Sequence, residues 1–310
     1  MKNKMDKITI KMTDLTKTFG DTTAVDHLNL GVQEGELFGL VGPDGAGKTT
    51  TMRMLTAIMR PTSGDAVVAG HSILHAGEQI KENIGYMSQR FGLYEDLTVI
   101  ENIHFYADLF LVPKPERPQR IERLLGFSNL TPFKNRRAGR LSGGMKQKLG
   151  LACALIHTPK ILFLDEPTNG VDPVSRRDFW KILYDLLKEG ITIFVSTAYL
   201  DEAERCTRIG LMHQGKLLIQ DVPNHVKQAL GLPMFQIWVT DVRRAKAFVQ
   251  ERQGIKRANI YGDSLHVTVA RKEVVNQLIQ DLQAQGFTIN GQREILPSLE
   301  DVFISMVAEK

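Results

Sequence analysis

The octet Gly42-Pro43-Asp44-Gly45-Ala46-Gly47-Lys48-Thr49 fits the pattern G-x-x-x-x-G-K-[ST]. Residues of these types in this order can hold a polyphosphate. The glycines let successive backbone N–H groups turn inward, the start of a helix adds its dipole, Lys48 neutralises β- and γ-phosphate oxygens, and the Thr49 hydroxyl reaches Mg2+. Thr50, next in the chain, joins the same nucleotide-binding set. A second element, Ile161-Leu162-Phe163-Leu164-Asp165-Glu166, is an apolar run ending in two carboxylates. Asp165 is placed to hold Mg2+, directly or through water. If strand geometry persists, Glu166 points away from it, towards an attacking water. The chemistry these residues specify is binding and hydrolysis of ATP with Mg2+.

The two elements correspond to Walker A and Walker B of a P-loop ATPase, and a third narrows the type. Leu141-Ser142-Gly143-Gly144-Met145-Lys146-Gln147 resembles the signature loop of the ABC ATPases. Ser142 is a good N-cap, and the glycines after it expose N–H groups at a helix start, a second anion trap. The resemblance implies that Ser142, Gly143, Gly144 and Gln147 serve the nucleotide held by an opposite subunit, so that two chains sandwich two ATP molecules head to tail. It covers most of residues 7 to 220. It further implies that Phe19 stacks on adenine, that Gln89 reaches Mg2+ and the attacking water and senses a membrane subunit, and that Asp172 contacts the partner's Walker A loop.

One position departs from the family pattern. In Phe194-Val195-Ser196-Thr197-Ala198-Tyr199-Leu200-Asp201-Glu202 the family places a histidine where this chain has Ala198. A methyl group donates no hydrogen bond to a γ-phosphate. Losing one preorganised donor costs about 10²–10³ in rate, so slow hydrolysis with near-normal ATP binding is expected, with Tyr199 or water as possible substitutes for the missing donor.

These residues need strands and helices to hold them. Leu37 to Val41, Ile161 to Leu164 and Ile191 to Ser196 read as buried parallel strands, with helices from Lys48 to Met59 and from Ser175 to Lys188. Residues 8 to 38 alternate as an antiparallel opening, and a mainly helical insertion, about 98 to 157, is interrupted by Pro113, Pro115 and Pro118. The expected fold is α/β: an ABC-type P-loop ATPase over 7–230, with parallel core, antiparallel β subdomain and helical subdomain. Past the linker Gly231-Leu232-Pro233, residues 233–310 read as strand, helix, strand, strand, helix, strand, a small ferredoxin-like α+β domain closed by a helix from Ser298. Met52, Met54 and Met59 read as core.

The whole composition allows this. The 310 residues are 43% hydrophobic and 24% charged, with a formal net charge of +4, which argues for neither nucleic acid nor an anionic surface as partner. The basic run Lys134 to Arg140 has no interleaved aromatic residues and reads as a solvated loop. The two cysteines form no disulfide framework, and the charged start at Met1 to Lys7 is not a secretory signal. The uncharged apolar stretch Ile191 to Leu200 is about half of the roughly 20 residues a bilayer span needs.

The leading expectation is a cytoplasmic motor, peripheral on the inner face of the cell membrane, paired with a second ATPase subunit and driving separate permease subunits. The ending Leu296-Pro297-Ser298-Leu299-Glu300-Asp301-Val302-Phe303 and the stretch Tyr199 to Cys206 resemble the ATPase subunits of ABC-2 type exporters of the daunorubicin-resistance group. That implies export of a drug-like amphiphile. The alternatives are a soluble ABC ATPase acting on ribosomes or DNA, and a regulatory subunit that binds ATP with little turnover. A single ATPase domain without a heptad array favours neither ribosomes nor DNA.

Overall fold

The computed structural model describes residues 7–89, 92–229 and 231–308, in two compact units, 1–222 and 223–310. The charged start up to Asp6, Arg90 and Phe91 after Gln89, and Leu230 lie outside the described residues.

The first unit opens on an antiparallel pair, β1 (Ile8–Phe19) and β2 (Thr22–Gln33), in which Ile10 faces Val32 and Met12 faces Leu30. Alternate residues point to one face, so a strand with a half-buried surface places these apolar side chains together. β3 (Leu37–Val41) is buried throughout, and the phosphate loop carries it into α1 (Lys48–Leu55). This helix is shorter than the Lys48 to Met59 expected. The Thr56 hydroxyl donates to the Met52 carbonyl at 2.9 Å and Ala57 turns into the left-handed region at φ 56, which ends the helix, while Met52 and Met54 fill the core as expected. Then follow β4 (Ser63–Val68), β5 (His71–Ser72), α2 (Gly77–Asn83) and β6 (Ile84–Met87).

The insertion consists of α3 (Val99–Leu109), α4 (Arg117–Phe127) and α5 (Gly143–Leu155). Thr98 and Glu101 form a reciprocal cap at the start of α3. Pro118 stands in the first turn of α4, where its missing N–H costs nothing. The basic run at 134–140 is exposed apart from Ala138. The core resumes with β7 (Ile161–Asp165), α6 (Pro173–Lys188), β8 (Thr192–Thr197), α7 (Leu200–Ala203), β9 (Arg208–His213) and β10 (Lys216–Asp221).

The strands make two sheets. One has the order β2-β1-β4-β5 and is antiparallel. The other has the order β10-β9-β3-β8-β7-β6, parallel from β9 to β6 with β10 antiparallel at its edge. β3, β7 and β8 are buried throughout, as the continuous apolar runs require. The loops after β3, β7 and β8 all leave the carboxyl ends of neighbouring strands, where an open parallel sheet binds ligands.

The second unit contains α8 (Pro223–Gln228), β11 (Met234–Val239), α9 (Val242–Gln250), β12 (Ile255–Tyr261), β13 (Ser264–Val269), α10 (Val274–Ala284), β14 (Ile289–Ile295) and α11 (Leu299–Ala308). Its antiparallel sheet has the order β12-β13-β11-β14, the strand order of a split βαββαβ domain. The unit begins at Pro223, before the linker expected at 231–233. Phe235, Ile237, Leu265 and Val267 pack against Ala245, Val249, Leu278 and Leu282. The opposite face is polar yet buried at Gln236, Ser264, His266 and Thr268. There His266 Nδ1 lies 3.2 Å from Asp301 Oδ2 of α11, and Ser298 donates to Asp301 from its N–H and its hydroxyl. Both cysteines are free and buried, and burial pushes their thiols up, out of the reactive range.

Candidate nucleotide-binding site

The loop from Gly42 to Thr49 wraps the start of α1. Gly45 and Gly47 take φ of 77 and 104, and a Cβ on Gly47 would stand 2.3 Å from the Ala24 carbonyl oxygen. Any other residue at 47 is excluded twice, by backbone conformation and by space. Beside this loop lies a cavity of about 420 Å³. Asp44 to Thr50 line it together with Ala24, Gln89 and Glu166. Lys48 is 3% exposed, and its Nζ donates to the carbonyls of Gly42 at 2.7 Å and Pro43 at 3.0 Å. It also stands 3.1 Å from Glu166 Oε1. The ammonium is thus desolvated by the loop and compensated by the carboxylate across the cavity.

β7 delivers Asp165 to the same place. Oδ1 accepts from Ser196 Oγ at 2.6 Å and from Thr49 Oγ1 at 3.1 Å, while Oδ2 is buried without a partner. Burial raises this carboxyl above its ordinary range, and the Ser196 and Thr49 hydroxyls only partly oppose it. An orphaned buried carboxylate oxygen beside a threonine hydroxyl fits a hard cation such as Mg2+. Among the described residues no three His, Cys, Asp or Glu converge, which fits an ion completed by substrate phosphates and water rather than by a protein cage.

Glu166 differs from the expected geometry. Strand alternation stops at Asp165, and Glu166 sits in the left-handed region at φ 49, a conformation costing about 1–2 kcal/mol for an L-residue. Its N–H donates to Ser196 Oγ at 3.0 Å and to the Ser196 carbonyl at 3.2 Å, which holds the turn. The side chain is set by its partners: Lys48, Gln89 Nε2 at 3.1 Å and Asn169 Nδ2 at 3.3 Å, both amides donating to Oε2. Lys48, Thr49, Gln89, Asp165 and Glu166 therefore converge.

The remaining expected residues lie off this cavity. Phe19 is 49% exposed at the end of β1, with Lys17 Nζ 5.1 Å from its ring centroid. Ser142 caps α5 through a bond from the Met145 N–H, and Ser142 and Gly143 are exposed, so the start of that helix is open. Gly144 is buried against Ser175, and Gln147 is half-buried. Asp172 caps α6 by accepting from Val174 and Ser175, and the Ser175 backbone bond foremost holds its carboxyl below the usual range. Ala198 is exposed just beyond β8.

Pattern reading missed three polar residues. Ser196 ties Asp165 to the Glu166 backbone, Asn169 holds Glu166, and Glu202, fully buried, accepts from Thr168 and Thr197. Ser196 carried a signal, a small polar residue directly after the apolar run Ile193-Phe194-Val195.

Residues 25–169 match the family described as ABC transporter, and residues 223–307 match the ATP-binding protein DrrA1-3-like C-terminal domain. The probable multidrug ABC transporter ATP-binding protein YbhF of Escherichia coli (strain K12) is 43% identical over 98% of this chain. The chain spans 53% of that relative's own length. The bacitracin transport ATP-binding protein BcrA of Bacillus licheniformis is 33% identical, over 96% of this chain and 97% of that protein. Among solved structures, a dimeric ATP-binding cassette in a post-hydrolysis state, bound to ADP and Pi, superposes with a TM-score of 0.62 at 26% identity. That match covers 69% of this chain and 98% of the other.

Proposed function

The chain belongs to the ATP-binding proteins of the ABC transporters, and from that premise we propose that it is the ATP-hydrolysing motor of an exporter. The observation that carries this reading is the convergence of Lys48, Thr49, Gln89 and Glu166 on one cavity, with Asp165 bonded to Thr49 beside it.

In this reading the triphosphate lies along the loop from Gly42 to Thr50. Its γ-phosphate takes Lys48 away from Glu166, which frees the carboxylate to accept a proton from water. The water oxygen then bonds to the γ-phosphorus, the bond to the ADP oxygen breaks, and phosphate leaves. Asp165, Thr49 and Gln89 are the residues to hold Mg2+, which offsets charge on the phosphate oxygens when bound. Phe19 stacks on the base.

Ser142, Gly143, Gly144 and Gln147 lie off the cavity with an open helix start, which suits a loop acting on the nucleotide of a second subunit. Asp172 then meets the partner's Walker A loop, and the active form is a dimer. Ala198 leaves the γ-phosphate one donor short, so turnover is slow while ATP is still bound.

Among the described residues no helix is long and apolar enough to cross a membrane. A motor of an exporter then needs separate membrane subunits, of ABC-2 type, and works at the cytoplasmic face. The ATPase domain ends at Val222, with its helical part at about 98–157, and the accessory domain begins at Pro223 rather than after the linker at 231–233. A drug-like amphiphile is the favoured cargo, as the names of the relatives are for multidrug and bacitracin transport. The test is purification of the full chain from membranes under mild detergent: membrane subunits that accompany it and stimulate its ATPase activity are expected. Recovery with ribosomes or DNA and without a membrane protein would overturn the reading.

A further inference from the structure

The loop after β8 carries a chain of contacts that ends on Glu166. The Tyr199 N–H donates to Thr197 Oγ1 at 3.0 Å, folding the loop back on the strand end. Thr197 Oγ1 donates to Glu202 Oε2 at 2.7 Å, and Thr168 donates to the other oxygen of the same fully buried carboxylate. Arg176 of α6 brings its Nε to 3.5 Å from Glu202 Oε1, within ion-pair range though not aligned as a hydrogen bond. Its guanidinium lies 4.4 Å over the Tyr199 ring. A buried charge therefore anchors an arginine, and the arginine holds an aromatic ring.

The Tyr199 hydroxyl donates to Asn169 Oδ1 at 3.4 Å, and Asn169 Nδ2 donates to Glu166 Oε2 at 3.3 Å. The direction of this relay is fixed by chemistry. An ionised carboxylate only accepts, so the amide must turn its nitrogen to Glu166 and its oxygen to a donor, and Tyr199 is that donor.

Among the described residues Glu166 has three side-chain partners. In the proposed reaction Lys48 and Gln89 are drawn to the nucleotide, which leaves Asn169 as the partner that stays. The Ala198 side chain has no polar atom to add. We propose that Tyr199 is a positioning residue for hydrolysis: clamped by Arg176, it orients the Asn169 amide, and that amide aims the Glu166 carboxylate at water. The proposal rests on the reading of Glu166 as the base. It assigns Tyr199 a place different from the missing histidine, acting on the base rather than on the phosphate.

The test measures kcat and KM for ATP in the full chain, purified with the membrane subunits that accompany it. The variants are Tyr199→Phe, Asn169→Ala, their double variant and Glu166→Gln. Tyr199→Phe keeps the ring over Arg176 and removes one hydrogen bond, so kcat is expected to fall about 3–10-fold with KM within about twofold. Asn169→Ala falls at least as far, and the double variant is no slower than Asn169→Ala, because both act through one amide. An unchanged kcat in Tyr199→Phe, or losses that multiply in the double variant, overturns the proposal while Glu166→Gln remains inactive. Turnover retained in Glu166→Gln overturns the reading of the base, and the proposal with it.

Discussion

Lys48 Nζ and Glu166 Oε1 stand 3.1 Å apart on side chains that are only 3% and 9% exposed. Removing one member of such a buried pair leaves the other charge uncompensated, and an incoming phosphate relieves it. Glu166→Gln should therefore bind ATP more tightly than the wild type, by at least about tenfold, the factor that 1.4 kcal/mol produces. Equilibrium binding in EDTA measures this without Mg2+. Lys48→Ala should lose ATP binding in the same assay.

Gly144 is a packing requirement as well as part of a helix start. A Cβ there would stand 2.4 Å from the Ser175 Cβ. Gly144→Ala is expected to destabilise the protein by about 1–3 kcal/mol, the cost of overpacking, read as a lowered thermal midpoint. Ser175→Gly in the same background should recover most of the loss.

Much of the first unit was readable because its signals are local. The apolar runs of β3, β7 and β8, the glycine-lysine loop and the Ser142 cap each depend on residues close in sequence. The end of α1 was not, because Ala57 takes a left-handed conformation that its residue type does not announce. The turn at Glu166 was hidden for the same reason: a left-handed residue breaks the alternation on which strand geometry depends. Glu202 escaped because Thr168, 34 residues away in sequence, reaches it only in the fold, and Asn169 because its bond to Glu166 needs the left-handed turn there.

Ala198→His restores a donor where the family pattern has one. ATP turnover should rise at least about tenfold, since a single preorganised donor is worth about 10²–10³ and later steps absorb part of the gain. Unchanged turnover would mean that position 198 does not limit the reaction.

Asp301 gives the second unit a pH dependence. Burial alone would raise its carboxyl, but the bonds from His266 and Ser298 outweigh that and hold it below its ordinary value of 3.8. A group whose folded pKa is depressed stabilises the fold above its unfolded pKa, and that stability is lost as pH falls through the folded value. Asp301→Asn should therefore lower the denaturation midpoint of the second unit at pH 7 by an amount that shrinks below pH 3.8. Chemical denaturation followed by Trp238 fluorescence, at neutral and acid pH, reads this.

Hydrolysis in the proposed function depends on the phosphate loop meeting Asp165 and Glu166, and on Glu166 as the base. The direct measurement is steady-state ATP turnover of Glu166→Gln against the wild type in the same preparation, with bound ATP quantified alongside. Turnover should fall by at least about 10²-fold while ATP stays bound, as for loss of the group that takes the proton. Equal turnover in the two proteins would contradict it.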